Sequence, residues 1–245
     1  MLPRRKAWGR TGGNDLDRPL RAPAGLIFDL DGTLVDSRRD LSLAVNRLRD
    51  DYGWEALDVD RVVEMVGEGV RMLVAQALRV HPPGKHLPES IDQALDRFFA
   101  HYDAVCLKTT APFHGVEPML EDLAARFPLA LYSNKPERFT RKILEGLELD
   151  RFFPQLLGGD SLKTKKPEPP GVRLLAERLG IPVAQSMLVG DSRIDAATAR
   201  ASGCRFAFAE WGFADYDERI EVRDRYRPEI KAANPAQLAR RLLDL

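Results

Sequence analysis

Five short apolar runs, each stopping abruptly at a polar or glycine-containing turn, constrain this chain more than any other feature. They are Gly25-Leu26-Ile27-Phe28, Pro128 to Tyr132, Phe153 to Leu157, Ser186 to Val189 and Cys204 to Phe208. Helical patterns lie between the later runs. Pro136 opens one that continues through Phe139, Ile143 and Leu147. Pro170 opens another with Val172, Leu175 and Leu179, closed by Gly180, and the Ala-rich stretch from Ile194 to Ser202 stops at Gly203. Short unbroken apolar strands alternating with helices predict an α/β fold on a parallel sheet. Such sheets gather ligands at the carboxyl ends of their strands. Polar clusters follow the first four runs there: Asp29 and Asp31, Ser133-Asn134-Lys135, Gly158-Gly159-Asp160, and Gly190-Asp191.

Residues 36–110 break the alternation. Leu41, Val45 and Leu48 recur at helical spacing, as do Val66, Val70 and Leu73, and then Ile91, Leu95, Phe98 and Phe99. The spacing predicts a helical insert at 36–110, broken at Pro82-Pro83-Gly84. The core is then discontinuous, made of 24–35 and 111–245. Residues 1–23 are rich in Arg and Gly and carry no apolar stretch of the secretory kind, so they read as a disordered arm, with a transit peptide or an over-long gene start as alternatives. No run is long enough to span a bilayer. Lys+Arg and Asp+Glu are both 37, so no global charge draws the chain to nucleic acid, and attraction for an anion must be local. Cys106 and Cys204 are distant and lack metal-ligand spacing, which argues against a disulfide framework or zinc and fits a reducing cytoplasm. The histidines at 81, 86, 101 and 114 form no motif.

The first strand ends at Asp29-Leu30-Asp31-Gly32-Thr33. Acids two apart on a strand share a face, and Gly32 lets the backbone turn just beyond them. Two convergent carboxylates suit nucleophilic attack with general acid–base work, a metal, or both. If the target is a phosphate ester, the anionic Asp29 can approach it only with cations nearby. Mg²⁺ prefers oxygen ligands and is usually held by one or two carboxylates plus the phosphate, which makes Asp29 and Asp191 candidate ligands. Lys166 would add a second positive charge, while the Ser133 hydroxyl and the Asn134 N–H would donate to phosphate oxygens. Singly, each group has a simpler reading. The aspartates at 29 and 31 could cap a turn, and Ser133-Asn134 could start a helix. Lys163, Lys165 and Lys166 could form a solvated loop, and Asp191 with Asp195 an exposed acidic pair.

Four motifs in order outweigh those readings: Asp29-Leu30-Asp31-Gly32-Thr33, Ser133-Asn134, Lys166-Pro167, and Gly190-Asp191-Ser192-Arg193-Ile194-Asp195. On these residues the chain, over about 24–245, resembles the haloacid dehalogenase superfamily of aspartyl-phosphate phosphatases with a helical cap. The resemblance implies a Rossmann-like parallel sheet core and an inserted α-helical cap domain. It implies that Asp29 is the nucleophile and that Asp31 protonates the leaving oxygen and then activates water. It implies Mg²⁺ held by Asp29, Asp191 and the main-chain carbonyl of Asp31, with Asp195 orienting metal-bound water or Lys166. Thr33 would order the first loop and belong with Ser133, Asn134 and Lys166 around the phosphate.

Asp31 also discriminates among branches. The carbon-attacking dehalogenases lack an acid there, and so does the phosphonate-cleaving branch, which uses a cap lysine. The runs Asp36 to Asn46, Met65 to Arg71, Ser133-Asn134-Lys135-Pro136, Gly158-Gly159-Asp160 and Lys165-Lys166-Pro167 look like the phosphoglycolate phosphatase branch. So does Val189-Gly190-Asp191-Ser192-Arg193 followed by Asp195. Phe113-His114-Gly115-Val116 departs from the Tyr-Pro-Gly-Val of many relatives, beside the hinges expected near Asp36 and Ala111. The implied substrate is a small phosphorylated metabolite, 2-phosphoglycolate first, its carboxylate met by a basic cap residue for which Arg71 is the candidate. The resemblance leaves open sugar phosphates such as N-acetylmuramic acid 6-phosphate, pyrophosphate, a β-phosphoglucomutase-like phosphomutase, and a non-catalytic binding or regulatory protein. No nucleic-acid or membrane partner is expected, and the oligomeric state is open.

Overall fold

The structure, a computed structural model, describes residues 21–80 and 90–245. Most of the arm expected over 1–23 lies outside the described residues, as do His81, His86 and the break at Pro82-Pro83-Gly84.

In chain order the first elements are β1 (Gly25–Phe28), β2 (Val35–Asp36), α1 (Arg38–Asp50), α2 (Val59–Val63), α3 (Val70–Arg79), α4 (Ile91–Asp103) and β3 (Ala111–Pro112). They are followed by α5 (Val116–Ala124), β4 (Leu129–Tyr132), α6 (Glu137–Gly146), β5 (Gln155–Leu157), α7 (Pro170–Arg178), β6 (Ser186–Gly190) and α8 (Arg193–Ser202). The last are β7 (Arg205–Ala209), α9 (Tyr216–Glu221), β8 (Ile230–Ala232) and α10 (Pro235–Leu243). No helix among the described residues is long and apolar enough to cross a membrane.

Six strands form one parallel sheet in the order β5-β4-β1-β6-β7-β8. Leu26 stands between Leu129 and Met187, which puts β1 at the centre. The central strands read as continuous apolar runs because both faces are covered. Leu26 and Phe28 face a cluster that includes Leu120 of α5, Ile143 of α6 and Leu242 of α10. Ile27 faces the other side, with Val172 and Leu175 of α7 and Ala196 and Ala199 of α8. Strand order reverses direction about β1, so β1, β4 and β6 bring their carboxyl ends to the crevice where such sheets bind ligands.

Helices α1 to α4 all fall between β2 and β3. Helix α1 packs on α2, α3 and α4, and α3 on α4. The chain leaves and returns through the two-residue antiparallel ribbon of β2 and β3, in which Val35 pairs Pro112 and Asp36 pairs Ala111. The buried Asp40 carboxylate ties the exit to the return by accepting from the N–H and hydroxyl of both Thr109 and Thr110.

Several elements differ from the sequence expectation. The helical spacing of Val66, Val70 and Leu73 is interrupted, because Gly67 and Gly69 take positive φ values of 115° and 87° and α3 begins only at Val70. Strand β5 starts at Gln155 rather than Phe153, after Pro154, which offers no ladder N–H. The ribbon, α2, α5, α9, α10 and β8 were not foreseen. All of these but α5 are short or lie beyond the last strong apolar run.

Candidate active site

The loops following β1, β4 and β6 and the segment before α7 converge on a cavity of about 370 Å³, roofed by the 63–70 segment and α4. Asp29 is fixed where β1 ends, its N–H donating to Val189 O of β6 at 2.9 Å. Gly32 makes the turn beyond it at φ 85°. A Cβ there would come within 2.2 Å of Asp191 Oδ2, so glycine is required by both conformation and space.

Four buried side chains form the floor. Lys166 Nζ stands 2.7 Å from Asp29 Oδ1 and 2.7 Å from Asp195 Oδ1. Asp29, Asp191 and Asp195 offer carboxylate oxygens within 4.8 Å of one another. Asp195 is held because it closes a capping box with Ser192 at the start of α8, accepting from the Ser192 N–H and hydroxyl with Oδ2 and leaving Oδ1 for Lys166. Asp191 is held by Thr33, whose hydroxyl donates at 3.0 Å, and by the Phe213 N–H at 2.7 Å.

Charge on the floor does not balance: three buried carboxylates share one buried ammonium. Burial, opposed by Lys166 and reinforced by Asp195 and Asp31, pushes Asp29 up to about 7. Burial and repulsion from Asp195 and Asp29 hold Asp191 well above the ordinary carboxylate range. Lys166 is raised despite its burial, because Asp195 and Asp29 favour its charged form. A hard cation with oxygen ligands fits this cluster, since it would supply the missing positive charge between Asp29 and Asp191.

Asp31 has separate partners. Its carboxylate accepts from the Ser37 hydroxyl and pairs with Lys135 Nζ at 2.9 Å. It opens onto the same cavity as Asp29 but stands outside the three-carboxylate cluster. Ser133 and Asn134 line the cavity after β4. The Asn134 amide is fully used. Oδ1 accepts from the Lys166 N–H at 2.9 Å, and Nδ2 donates to Lys166 O at 2.9 Å and to Gly67 O at 2.8 Å. Only its backbone N–H is left to face a ligand. The Lys166–Pro167 peptide is cis.

Asp29, Asp31, Ser133, Asn134, Lys166 and Asp191 therefore meet around one cavity, with Asp195 beneath it. Two expected site residues do not join them. Thr33 is fully buried, donates its hydroxyl to Asp191 and does not line the cavity. Arg71 is exposed on α3, ion-paired with Asp92, and does not line the cavity. Three groups carried no expectation: Ser37 and Lys135, which hold the Asp31 carboxylate, and Tyr102, which lines the cavity from α4. Lys135 had a signal, as a lysine directly following a buried strand and Ser133-Asn134. Tyr102 had none beyond its place on an amphipathic helix.

Residues 26–209 match the family described as haloacid dehalogenase-like hydrolase. A protein of Colwellia psychrerythraea named phosphoglycolate phosphatase is 37% identical over 207 residues, covering 83% of this chain and 90% of its own. One of the same name from Rhodospirillum rubrum is 39% identical over 196 residues, covering 78% and 81%. Among solved structures, a predicted phosphoglycolate phosphatase from Haemophilus somnus superposes with a TM-score of 0.82 at 28% identity, over 89% of this chain and 96% of that one. CbbY from Rhodobacter sphaeroides, solved with phosphate, shares the fold with a TM-score of 0.76 at 20% identity, over 91% of this chain and 100% of that one.

Proposed function

Because the chain belongs to the haloacid dehalogenase-like hydrolases, we propose that it hydrolyses 2-phosphoglycolate to glycolate and phosphate, with residues 36–110 as a cap over the core. The observation that carries the chemistry is that the Asp29 and Asp31 carboxylates open onto one cavity while bound to different lysines. Relatives named phosphoglycolate phosphatase, aligned over about four-fifths of the chain, support the substrate.

Hydrolysis of phosphate monoesters is among the slowest uncatalysed reactions, so charge must be neutralised and the nucleophile aligned. Asp29 attacks phosphorus and forms an aspartyl-phosphate as the ester bond breaks. Asp31 gives its proton to the departing oxygen. Asp31 then takes a proton from water, which attacks the same phosphorus, releasing phosphate and restoring Asp29. Throughout, Lys166, the Ser133 hydroxyl and the Asn134 N–H meet the phosphoryl oxygens. Asp29, Asp191 and the Asp31 carbonyl would hold Mg²⁺, which would supply the positive charge that an anionic nucleophile needs to meet an anionic ester.

The test is phosphate release from a panel of 2-phosphoglycolate, N-acetylmuramic acid 6-phosphate, other sugar phosphates and pyrophosphate, with Mg²⁺ and with EDTA. Isomerisation of β-glucose 1-phosphate is followed in parallel. We expect Mg²⁺-dependent release with the highest kcat/KM for 2-phosphoglycolate. A higher value for a sugar phosphate, or isomerisation without release, overturns the substrate. Undiminished activity in EDTA overturns the metal.

A further inference from the structure

We propose that Lys135 and Tyr102 together seat a carboxylate carried on the leaving group of the substrate. The inference deepens the phosphatase reading and rests on it. Lys135 and Lys166 are the two buried lysines among the described residues. Lys166 is committed to Asp29 and Asp195 on the phosphoryl side. Lys135 lines the same cavity but pairs with the other carboxylate, 2.9 Å from Asp31 Oδ2. An ester oxygen within hydrogen-bond reach of Asp31 lies next to Lys135 as well. A carboxylate one carbon removed from that oxygen then falls beside the ammonium, which has three donors to offer.

Tyr102 completes the seat from the cap. Its ring lies 4.9 Å from Lys135 Nζ. It stacks on Phe98 of α4 at 5.6 Å and meets Phe139 of α6 edge-on at 5.0 Å, so it is wedged between cap and core. The residue is 2% exposed and lines the cavity, yet its Oη–H finds no acceptor, since the neighbouring Lys135 ammonium can only donate to it. An unmet buried hydroxyl costs about 1–3 kcal/mol, which an acceptor on a ligand would relieve. Tyr132 Oη is also unpartnered, but it does not line the cavity. Three of the acids lining the cavity have partners of their own. Glu64 pairs with Arg61, Glu68 with Arg193, and Glu218 accepts from the Arg193 N–H.

The test compares kcat/KM for 2-phosphoglycolate and for 2-hydroxyethyl phosphate, which carries a neutral hydroxymethyl group where the former has a carboxylate. Wild type should prefer the carboxylate. A hydrogen bond to a charged group is worth enough that Tyr102→Phe should lower the ratio about 10-fold and Lys135→Gln about 30- to 100-fold. Arg71→Ala should leave it unmoved. A ratio constant within about twofold in Tyr102→Phe and Lys135→Gln overturns the seat, even if both rates fall together, since a residue serving only Asp31 would act on both esters alike. If Lys135→Gln does not fold, the near-isosteric Tyr102→Phe decides. Wild type that cleaves both esters equally well overturns the seat and leaves the phosphatase reading standing. Wild type that releases no phosphate from any ester overturns that reading, and the seat with it.

Discussion

Replacing Asn134 by alanine tests whether one amide holds the site together. Asn134 is 6% exposed and makes three hydrogen bonds, two to the backbone of Lys166 and one to Gly67 O of the cap segment. At about 1 kcal/mol net for each, their loss sets a floor near 3 kcal/mol. The Lys166 N–H is then left buried without its acceptor, which brings the expected destabilisation to about 3–5 kcal/mol. For a chain of this size each kcal/mol corresponds to roughly 2–4 °C, so the melting temperature should fall by about 10 °C. The effect on turnover is separate. Lys166 stands 2.7 Å from both Asp29 and Asp195 on a backbone that Asn134 bonds at N–H and C=O, and a shift of about 1 Å in such a group costs on the order of 10²-fold in rate. Thermal unfolding followed by circular dichroism, and steady-state phosphate release well below the melting temperature, measure the two effects. A variant that melts within about 2 °C of wild type, or that folds normally with unchanged kcat, would refute the reasoning, because three bonds to two other segments would then be holding nothing.

Asp29→Asn should retain the fold and lose phosphate release by at least about 10³-fold, and persistent steady-state turnover would remove Asp29 as nucleophile. Asp31→Asn should lower kcat by about 10²–10⁴-fold while still binding phosphate, and an unchanged kcat would remove Asp31 as acid–base. Without metal, stability should depend on pH in a definite direction. The folded Asp29 is raised from 3.8 to about 7, so its contribution is fully present below pH 4 and is lost as pH rises through 7. Urea melts in EDTA at pH 5 and pH 8 check this, and Mg²⁺ at about 100 times its Kd should restore roughly 2.7 kcal/mol at the higher pH. A pH-independent melt, or one unmoved by Mg²⁺, contradicts the cation site. Thr33→Val should weaken Mg²⁺ activation about 10-fold, because it frees the Asp191 carboxylate, with little change in the KM for substrate at saturating Mg²⁺. A raised KM alone would return Thr33 to the phosphate.

The parts of the fold legible in the sequence are those buried on both faces. Gly25 to Phe28 and Leu129 to Tyr132 have no polar residue because helices cover both sides of the sheet, and their register follows from burial. The carboxyl-end loops were legible for the complementary reason that a buried strand ending in Asp29 or Asp191 has no structural use for the charge. What stayed hidden depends on tertiary placement. Strand β8, three residues at the sheet edge, alternates buried and exposed and has no length to show a pattern. Arg71 looked available because sequence gives no view of Asp92, 21 positions later, which takes its guanidinium. Thr33 sits in the loop motif but turns its hydroxyl inward, a rotamer choice set by Asp191 158 residues away. Tyr102 at its helical spacing reads as core, and its ring is core. Only the position of Oη separates it from Phe98.

The two carboxylates proposed as nucleophile and acid–base are supported by different parts of the chain. Asp29 is set mainly by the core: β1 and β6 fix its backbone, and its lysine is held by Asp195 and Asn134. Asp31 is set where cap meets core. Ser37, at the start of the first cap helix, donates to one of its oxygens, and Lys135, packed against Tyr102 of the last, pairs with the other. The Asn134 amide joins the two arrangements by bonding the Lys166 backbone and Gly67 of the cap segment together. On the proposed roles, the nucleophile is placed by the sheet, whereas the acid–base group takes its partners where α1 and α4 meet the core. Disturbance of the cap should thus fall first on proton transfer to the leaving oxygen and on recognition of the group it carries, and least on the attack by Asp29.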